Sequence, residues 1–249
     1  MTRMVSTFRS WIFPVCALLG WEALAQLGFL QGRWPSLVAV IKEFAWDWPT
    51  LLMASVRTAW QVLQASVIGV VVGVSLGVFL SAGKRRIHGL YGCLAGLKAV
   101  PVTVLVPVFL TLFGLETFIV PLVALPLSLN FCVNTAQAIA EANQTRLRML
   151  LSWSVSYGMY ARHVLPFECL DAMLQTARVM LPFAFALHIA LDYFLCIPNG
   201  LGCYVNRAYE RQQHARMYGA ILVAGIIGLA LGAAIDLVSR RSLKWKRDM

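Results

Sequence analysis

The stretch VRTAWQVLQASVIGVVVGVSLGVFLSA, residues 56–82, holds a single charged side chain, Arg57, among mostly apolar and small residues. A helix needs about 20 mostly apolar residues to cross the hydrocarbon core of a bilayer. The run is long enough, and no charged side chain follows Arg57 within it. It therefore predicts a transmembrane helix.

The composition of the whole chain extends this prediction. Of the 249 residues, 59% are hydrophobic and only 13% are charged, which is about half the charged fraction of a soluble domain. Residues 1–249 are therefore expected to form one all-α, polytopic membrane domain with six transmembrane helices. The predicted spans are about 11–30, 56–82, 90–113, 117–139, 165–197 and 217–238.

The net charge of +10 is explained by the membrane rather than by nucleic acid, because the basic residues cluster at a few loop positions. With the N-terminus in the cytoplasm and alternating sides, fourteen Lys and Arg residues lie inside and five lie outside. Positive residues favour the cytoplasmic loops of membrane proteins. The predicted topology therefore places both termini in the cytoplasm.

Prolines interrupt two neighbouring spans. Pro101 and Pro107 lie in the third span, and Pro121 and Pro126 lie in the fourth. Carbonyl groups freed by a proline need partners in protein or water when they lie in a membrane. The pattern fits helices that face protein or a cavity, and it also fits ordinary kinked spans.

Ionisable residues in or near the spans are candidates for function, because such groups are costly in a membrane. Arg57 and Arg178 are compatible with a path for an anion. The chain has no recognisable catalytic or metal-binding set and no GxxxxGK[ST] nucleotide loop, so an ATP motor would have to be another chain. Cys196 and Cys203 would pair if their membrane edge faced an oxidising compartment.

Several segments resemble, in order, the transmembrane subunit of ABC importers, specifically permeases of the nitrate/sulfonate/taurine type. The first run also resembles a signal peptide, but its Trp21-Glu22 matches the first span of that family. The other matching segments are Trp34-Pro35-Ser36, SVRTAWQVLQASVIGVVVGVSLG, LKAVPVTVLVPVFLTLFGLE, LQTARVMLPFAFAL, NGLGCYVNRA and LVSRRSLKW.

In that family, the cytoplasmic loop between spans four and five contains a coupling helix that docks on the ATPase. Here the loop covers about 140–164, and Leu165-Pro166 matches the end of the family motif. Trp153 stands at the motif's glycine position, Leu147-Arg148-Met149 replaces its acidic-Ala-Ala start, and His163 replaces an apolar residue. The residues that the resemblance assigns to ATPase coupling are Arg148, Trp153, Tyr157, Gly158, Tyr160, Arg162, Leu165 and Pro166.

The resemblance also suggests a translocation path. An acidic residue that the family carries in span five, seven positions before Gly-Leu-Gly, is Tyr193 here, with Asp192 adjacent. The residues predicted to line the path are Arg57, Pro101, Pro107, Arg178 and Asp192.

The resemblance implies half of a translocation path in the bacterial inner membrane and no enzymatic activity in this chain. Its expected partners are an ATPase dimer that binds ATP and Mg²⁺, a second permease subunit and an extracytoplasmic solute-binding protein. The solute would be small, and nitrate, a sulfonate, taurine and bicarbonate are candidates. The alternatives are a permease-like scaffold that no longer transports, a membrane enzyme and a secondary transporter.

Overall fold

The computed structural model describes the residues 16–28, 33–81, 87–141, 149, 152–153, 156, 159 and 165–242. Within these ranges the regular secondary structure is helical, which confirms the all-α prediction. The helices are α1 (16–26), α2 (Leu37–Trp46), α3 (Trp48–Ser81), α4 (Ile87–Ala99), α5 (Val106–Phe113), α6 (Ile119–Glu141), α7 (Leu165–Leu195), α8 (Leu201–Glu210) and α9 (His214–Ser242).

Four helical segments in the described ranges are long and apolar enough to cross a membrane: Trp48–Ser81, Ile119–Ala140, Cys169–Leu195 and His214–Ser242. A fifth span exists if the bent pair Gly92–Ala99 and Val102–Phe113 is one crossing. The prediction of a multi-pass membrane protein is confirmed. The count of six remains a prediction, since the first predicted span, 11–30, is described only from residue 16.

The second span begins earlier than predicted. Helix α3 starts at Trp48, eight residues before the predicted start at 56. Helix α2 ends at Trp46, and Asp47 forms its C-cap. Pro49 lies in the first turn of α3, where a proline costs no helical hydrogen bond.

The third predicted span, 90–113, is broken at its first proline. Helix α4 ends at Ala99, and Pro101 takes an extended conformation before a 3₁₀ turn at Val102–Leu105. The two halves meet at an angle of 83°. Pro107 lies in the first turn of α5, so it helps to start a helix rather than to kink one.

Two compact units contain the described residues. The first comprises those up to Arg57 together with Asp192–Gly225, and the second comprises those of Thr58–Leu191 and Ile226–Met249. In the first unit, Glu22 Oε2 accepts the N–H of Leu37 at 2.9 Å, and Ser36 Oγ accepts that of Ala39 at 3.2 Å. Glu22 thus helps to cap α2.

The core of the second unit depends on close contact between α3 and α6. Gly69, Gly73 and Gly77 lie on one face of α3, one turn apart, and a Cβ on each would come within 2.5 to 2.7 Å of an α6 atom. Small residues at this spacing allow membrane helices to approach closely. The contact holds α6 in place, and α6 carries the polar residues described next.

Candidate functional site

A polar cavity of about 410 Å³ lies between α6 and α7 in the second unit. The amide side chains of α6 are spaced four and three residues apart, so they share one helical face. We call the cavity the amide groove, after its polar lining of Asn130, Asn134, Gln137, Gln175 and Thr176.

The amide groove is partly satisfied by its own hydrogen bonds. Asn134 Nδ2 donates to Thr176 Oγ1 at 2.7 Å, and Thr176 Oγ1 donates to the carbonyl of Ala172 at 2.7 Å. Asn130 Nδ2 donates to the carbonyl of Pro126 at 2.8 Å. The side-chain oxygens of Asn130 and Asn134 are not used in these bonds and can accept others. Gln137 is exposed. The groove therefore offers uncharged donors and acceptors in helices that are long enough to span a membrane.

A second cavity, of about 370 Å³, adjoins the amide groove and shares Asn130, Val179 and Met180 with it. Its lining is mainly apolar and includes Lys98 and Pro101. The interruption of the helix at Pro101 contributes to this wall. The structure therefore places one predicted path residue, Pro101, beside the groove.

The other two predicted path residues of the second unit lie elsewhere. Pro107 is an exposed residue of α5 that lines neither cavity. Arg178 forms a two-pronged ion pair with Asp236 of α9, with Nε–Oδ1 at 2.8 Å and Nη2–Oδ2 at 2.9 Å. This pairing offsets the positive charge of Arg178.

In the first unit, Asp192 caps a helix. Its side chain is 1% exposed, and Oδ2 accepts the N–H of Gly202 at 2.8 Å. The N-cap position of α8 is Gly200, which has no side chain to supply this bond. A carboxylate at a helix N-terminus satisfies a free N–H and interacts favourably with the helix dipole. Asp192, near the C-terminal end of α7, thus caps the N-terminus of α8.

The turn between α7 and α8 is tightly constrained. A disulfide joins Cys196 to Cys203, and Cys196 and Asn199 have positive φ angles of 45° and 62°. A Cβ on Gly200 would overlap the Asp192 carboxylate. Asn206 Nδ2 also donates to the carbonyl of Tyr193 at 3.1 Å. We call residues 192–211 the capped corner.

Charged residues of α2, α3 and α9 surround the capped corner. Arg57 Nη1 donates to the carbonyl of Pro198. The Tyr204 hydroxyl donates to Asp47 Oδ2 at 2.6 Å, and burial together with this carboxylate raises the pKa of Tyr204 above its usual range. Arg216 lies 3.4 Å from Glu43 Oε2 and 3.6 Å from Asp47 Oδ2. Arg57 and Asp192, which were both predicted to line the path, therefore form hydrogen bonds with the backbone of the capped corner.

Most of the predicted coupling segment lies outside the described residues, including Arg148, Tyr157, Gly158, Tyr160 and Arg162. Trp153 lies within the described residues. It is 79% exposed, and its backbone N–H donates to the carbonyl of Met149 at 3.2 Å. Leu165 and Pro166 are the first two residues of α7, where proline is readily accommodated. The coupling role of this segment stays a prediction.

The sequence interpretation missed the amide groove because it considered ionisable groups and not amides. The spacing of Asn130, Asn134 and Gln137 in an apolar span was a usable signal. The partnership of Arg216 with Asp47 joins residues far apart in the chain and had no comparable local signal.

Comparisons with known proteins agree with the fold. No family profile matches the sequence. The formylaminopyrimidine transport permease protein ThiX of Halalkalibacterium halodurans is 20% identical over 251 residues, which cover 99% of each chain. Chains in two inward-facing structures of the MetNI methionine ABC transporter superpose with TM-scores of 0.66 and 0.63 at 15% and 16% identity. They cover 79% and 78% of this chain, and 97% and 98% of their own length.

These matches are to components of transporters and not to enzymes. They confirm the resemblance at the level of the ABC importer permease, without specifying the nitrate/sulfonate/taurine subtype. The chain is a helical, multi-pass membrane protein with the permease fold of ABC transporters.

Proposed function

We propose that the chain is the transmembrane subunit of an ATP-driven importer and forms half of the path for a small solute. The observation that carries this proposal is the similarity to a transport permease over 99% of both sequences. The fold and the apolar helices support it. The amide groove is the best candidate for the polar lining of the path, because a solute crossing lipid must exchange hydrogen bonds with protein.

The partners of this importer would supply what the chain lacks. An ATPase dimer would bind ATP and Mg²⁺, a second copy or related permease would complete the path, and a binding protein would deliver the solute from outside. The predicted coupling segment, about 140–164, would transmit ATPase closure to the membrane helices and shift them between two packings. The exposure of Trp153 leaves its indole available for such a contact.

The proposed location is the bacterial inner membrane with both termini in the cytoplasm. Two observations support this orientation. Arg240 and Arg241 lie in the last turn of α9, and positive charge near a span is favoured on the cytoplasmic side. The disulfide Cys196–Cys203 lies in the connection before α9, and disulfides persist mainly in oxidising compartments. The capped corner would therefore face outward.

The amide groove supports a small polar solute without net charge. Amide side chains donate and accept hydrogen bonds but provide no net charge. The ThiX relative is named for a formylaminopyrimidine, a compound of this kind. An anion such as nitrate, a sulfonate, taurine or bicarbonate remains the second candidate. It rests on Arg57 and Arg178, and Arg178 is already paired with Asp236.

The direct test is reconstitution in liposomes with the cognate ATPase and binding protein. We expect the loaded binding protein to stimulate ATP hydrolysis and to drive uptake of labelled formylaminopyrimidine, with nitrate and taurine measured in parallel. Deletion of residues 148–160 should abolish the stimulation and leave the ATPase's own basal rate. The substitution Gly232→Ala, where a Cβ would meet no described atom within 4 Å, serves as the matched control.

The alternative, a permease-like scaffold, gives a different result in the same assay. It is motivated by the missing glycine of the coupling motif, where Trp153 stands. A scaffold would assemble with the ATPase but support no uptake of any of the three solutes. Stimulated ATP hydrolysis with solute uptake would exclude the scaffold.

A further inference from the structure

A cavity of about 550 Å³ in the first unit has a strongly basic lining. Its walls come from the first turns of α3, from the capped corner and from the start of α9. The ionised residues of the lining are Asp47, Arg57, Arg207, Arg211 and Arg216. Four guanidinium groups therefore face one carboxylate. We call this space the arginine cavity.

The charges of the arginine cavity are unevenly compensated. Asp47 accepts a hydrogen bond from Tyr204 and lies beside Arg216. Arg57 donates to a neutral carbonyl group. Arg207 and Arg211 are exposed and make no ion pair with any residue in the described ranges. The cavity thus contains two arginines whose charge is available to a ligand.

The cavity wall is held in a fixed shape before any ligand binds. Cys203 of the lining is linked by the disulfide to Cys196, and Asp192 caps the helix that carries Arg207. A preformed wall reduces the ordering cost of binding. Volumes of about 300 to 1,000 Å³ are usual for small-molecule sites, so the cavity has a suitable size for a small ligand.

The position of the cavity along α3 indicates which kinds of ligand can reach it. Residues 58–81, which follow Arg57 in this helix, carry no charged side chain, and their length is enough to cross a bilayer. Arg57 therefore lies at the end of the apolar part of α3. A cavity at this level can be reached by dissolved anions and by lipid headgroups.

We propose that the arginine cavity binds a phosphate, sulfate or sulfonate group, supplied by a small dissolved anion or by an anionic lipid headgroup. Guanidinium groups suit such oxyanions because their planar fork donates two parallel hydrogen bonds. The excess of positive lining charge favours a group with several acceptor oxygens. This inference concerns binding and does not depend on the proposed transport activity.

The test for a dissolved anion uses the purified full chain in a neutral detergent. Thermal unfolding is measured against increasing sodium sulfate or sodium phosphate, with sodium chloride at equal ionic strength as the reference. We expect a saturable rise in the unfolding midpoint with the oxyanions. The substitution Arg211→Gln should weaken the apparent affinity about tenfold. Arg33→Gln removes a charge outside the cavity lining and should leave the affinity unchanged.

The test for a lipid uses native mass spectrometry with phosphatidylglycerol and phosphatidylcholine of equal chain length. Retention of phosphatidylglycerol that is lost in the double variant Arg207→Gln/Arg211→Gln, without an effect of free oxyanions, assigns the site to a headgroup. Both arginines are exposed, so the variants should fold, and Arg211→Lys provides a second variant that keeps the charge. Absence of binding in both arms, or equal binding by wild type and the double variant, overturns the proposal.

Discussion

The amide groove and the capped corner place polar groups in opposite ways. In the amide groove the polar side chains are uncharged, and Gln137 and Gln175 are exposed. In the capped corner a buried carboxylate, Asp192, accepts a hydrogen bond from the backbone N–H of Gly202, and a disulfide closes the turn beside it. The first region keeps free hydrogen-bonding groups, and the buried turn of the second is held by bonds within the capped corner.

This difference indicates different roles for the two regions. A solute path must form and release hydrogen bonds, so it benefits from amides that can exchange partners. A fixed connection between two helices benefits from strong local bonds, since a buried carboxylate without a partner would be destabilising. We therefore expect substitutions in the buried turn of the capped corner to reduce stability and substitutions in the amide groove to reduce transport.

The largest effect is expected for Gly200→Ala in the capped corner. The added Cβ would overlap the Asp192 carboxylate, so the cap of α8 would have to move. Overpacking of this kind should lower the free energy of unfolding by about 3 kcal/mol, measured from thermal unfolding in detergent. The control is Gly232→Ala, where no described atom would lie within 4 Å. An equal change in both variants would show that the overlap with Asp192 is unimportant.

Loss of the disulfide should have the next largest effect. The bond joins residues seven positions apart, and closing a loop of this size should stabilise the fold by about 2 kcal/mol. The double variant Cys196→Ser/Cys203→Ser should therefore unfold at a lower temperature than wild type. The matched control is Cys16→Ser/Cys93→Ser, which changes two exposed free cysteines. Equal midpoints for wild type and the Cys196/Cys203 variant would contradict this account of the corner.

These two predictions depend on contacts that the sequence could not supply. The apolar runs predicted the long helices because hydrophobic length is a local property. The cap of α8 by Asp192 requires a turn that brings residues ten positions apart into contact, and the φ angles of that turn are not readable from composition. The disulfide was left open in the sequence interpretation because it depended on the compartment.

The amide groove shows a different limit of sequence reasoning. Its residues on α6 have a helical spacing that could have been recognised, but their partners on α7 could not. Asn134 and Thr176 are 42 positions apart, and their contact depends on how two membrane helices pack. Likewise, the early start of α3 at Trp48 follows the C-cap of α2 at Asp47, which lies outside the apolar run that predicted the span.

Substitution in the amide groove should affect transport more than stability. Replacing Asn134 by Leu removes one amide of the proposed path, and its hydrogen bond is worth about 1 kcal/mol, so uptake in liposomes should fall about fivefold. The control is Gln64→Leu, an exposed amide of α3 outside the groove. We expect its uptake to stay within about twofold of wild type. Equal losses in the two variants would contradict the assignment of the path to the groove.

The smallest effect is a pH dependence at Tyr204, which borders the arginine cavity. Burial and the Asp47 carboxylate raise its pKa in the folded protein, whereas Arg216 acts in the opposite direction. In the unfolded chain a tyrosine loses its proton near pH 10, while folded Tyr204 still retains its own. The stabilisation linked to this proton is therefore complete below about pH 10 and is lost as pH rises towards the folded pKa.

The variant Tyr204→Phe tests this linkage. At pH 8 it should be less stable than wild type by about 1 kcal/mol, because the hydrogen bond to Asp47 is lost. Between about pH 9 and pH 11 the wild type should lose more stability than the variant, since only the wild type carries this ionisable group. The gap between their unfolding midpoints should therefore narrow as pH rises. Parallel profiles would show that Tyr204 has the same pKa in the folded and unfolded states, and that Asp47 does not stabilise its protonated form.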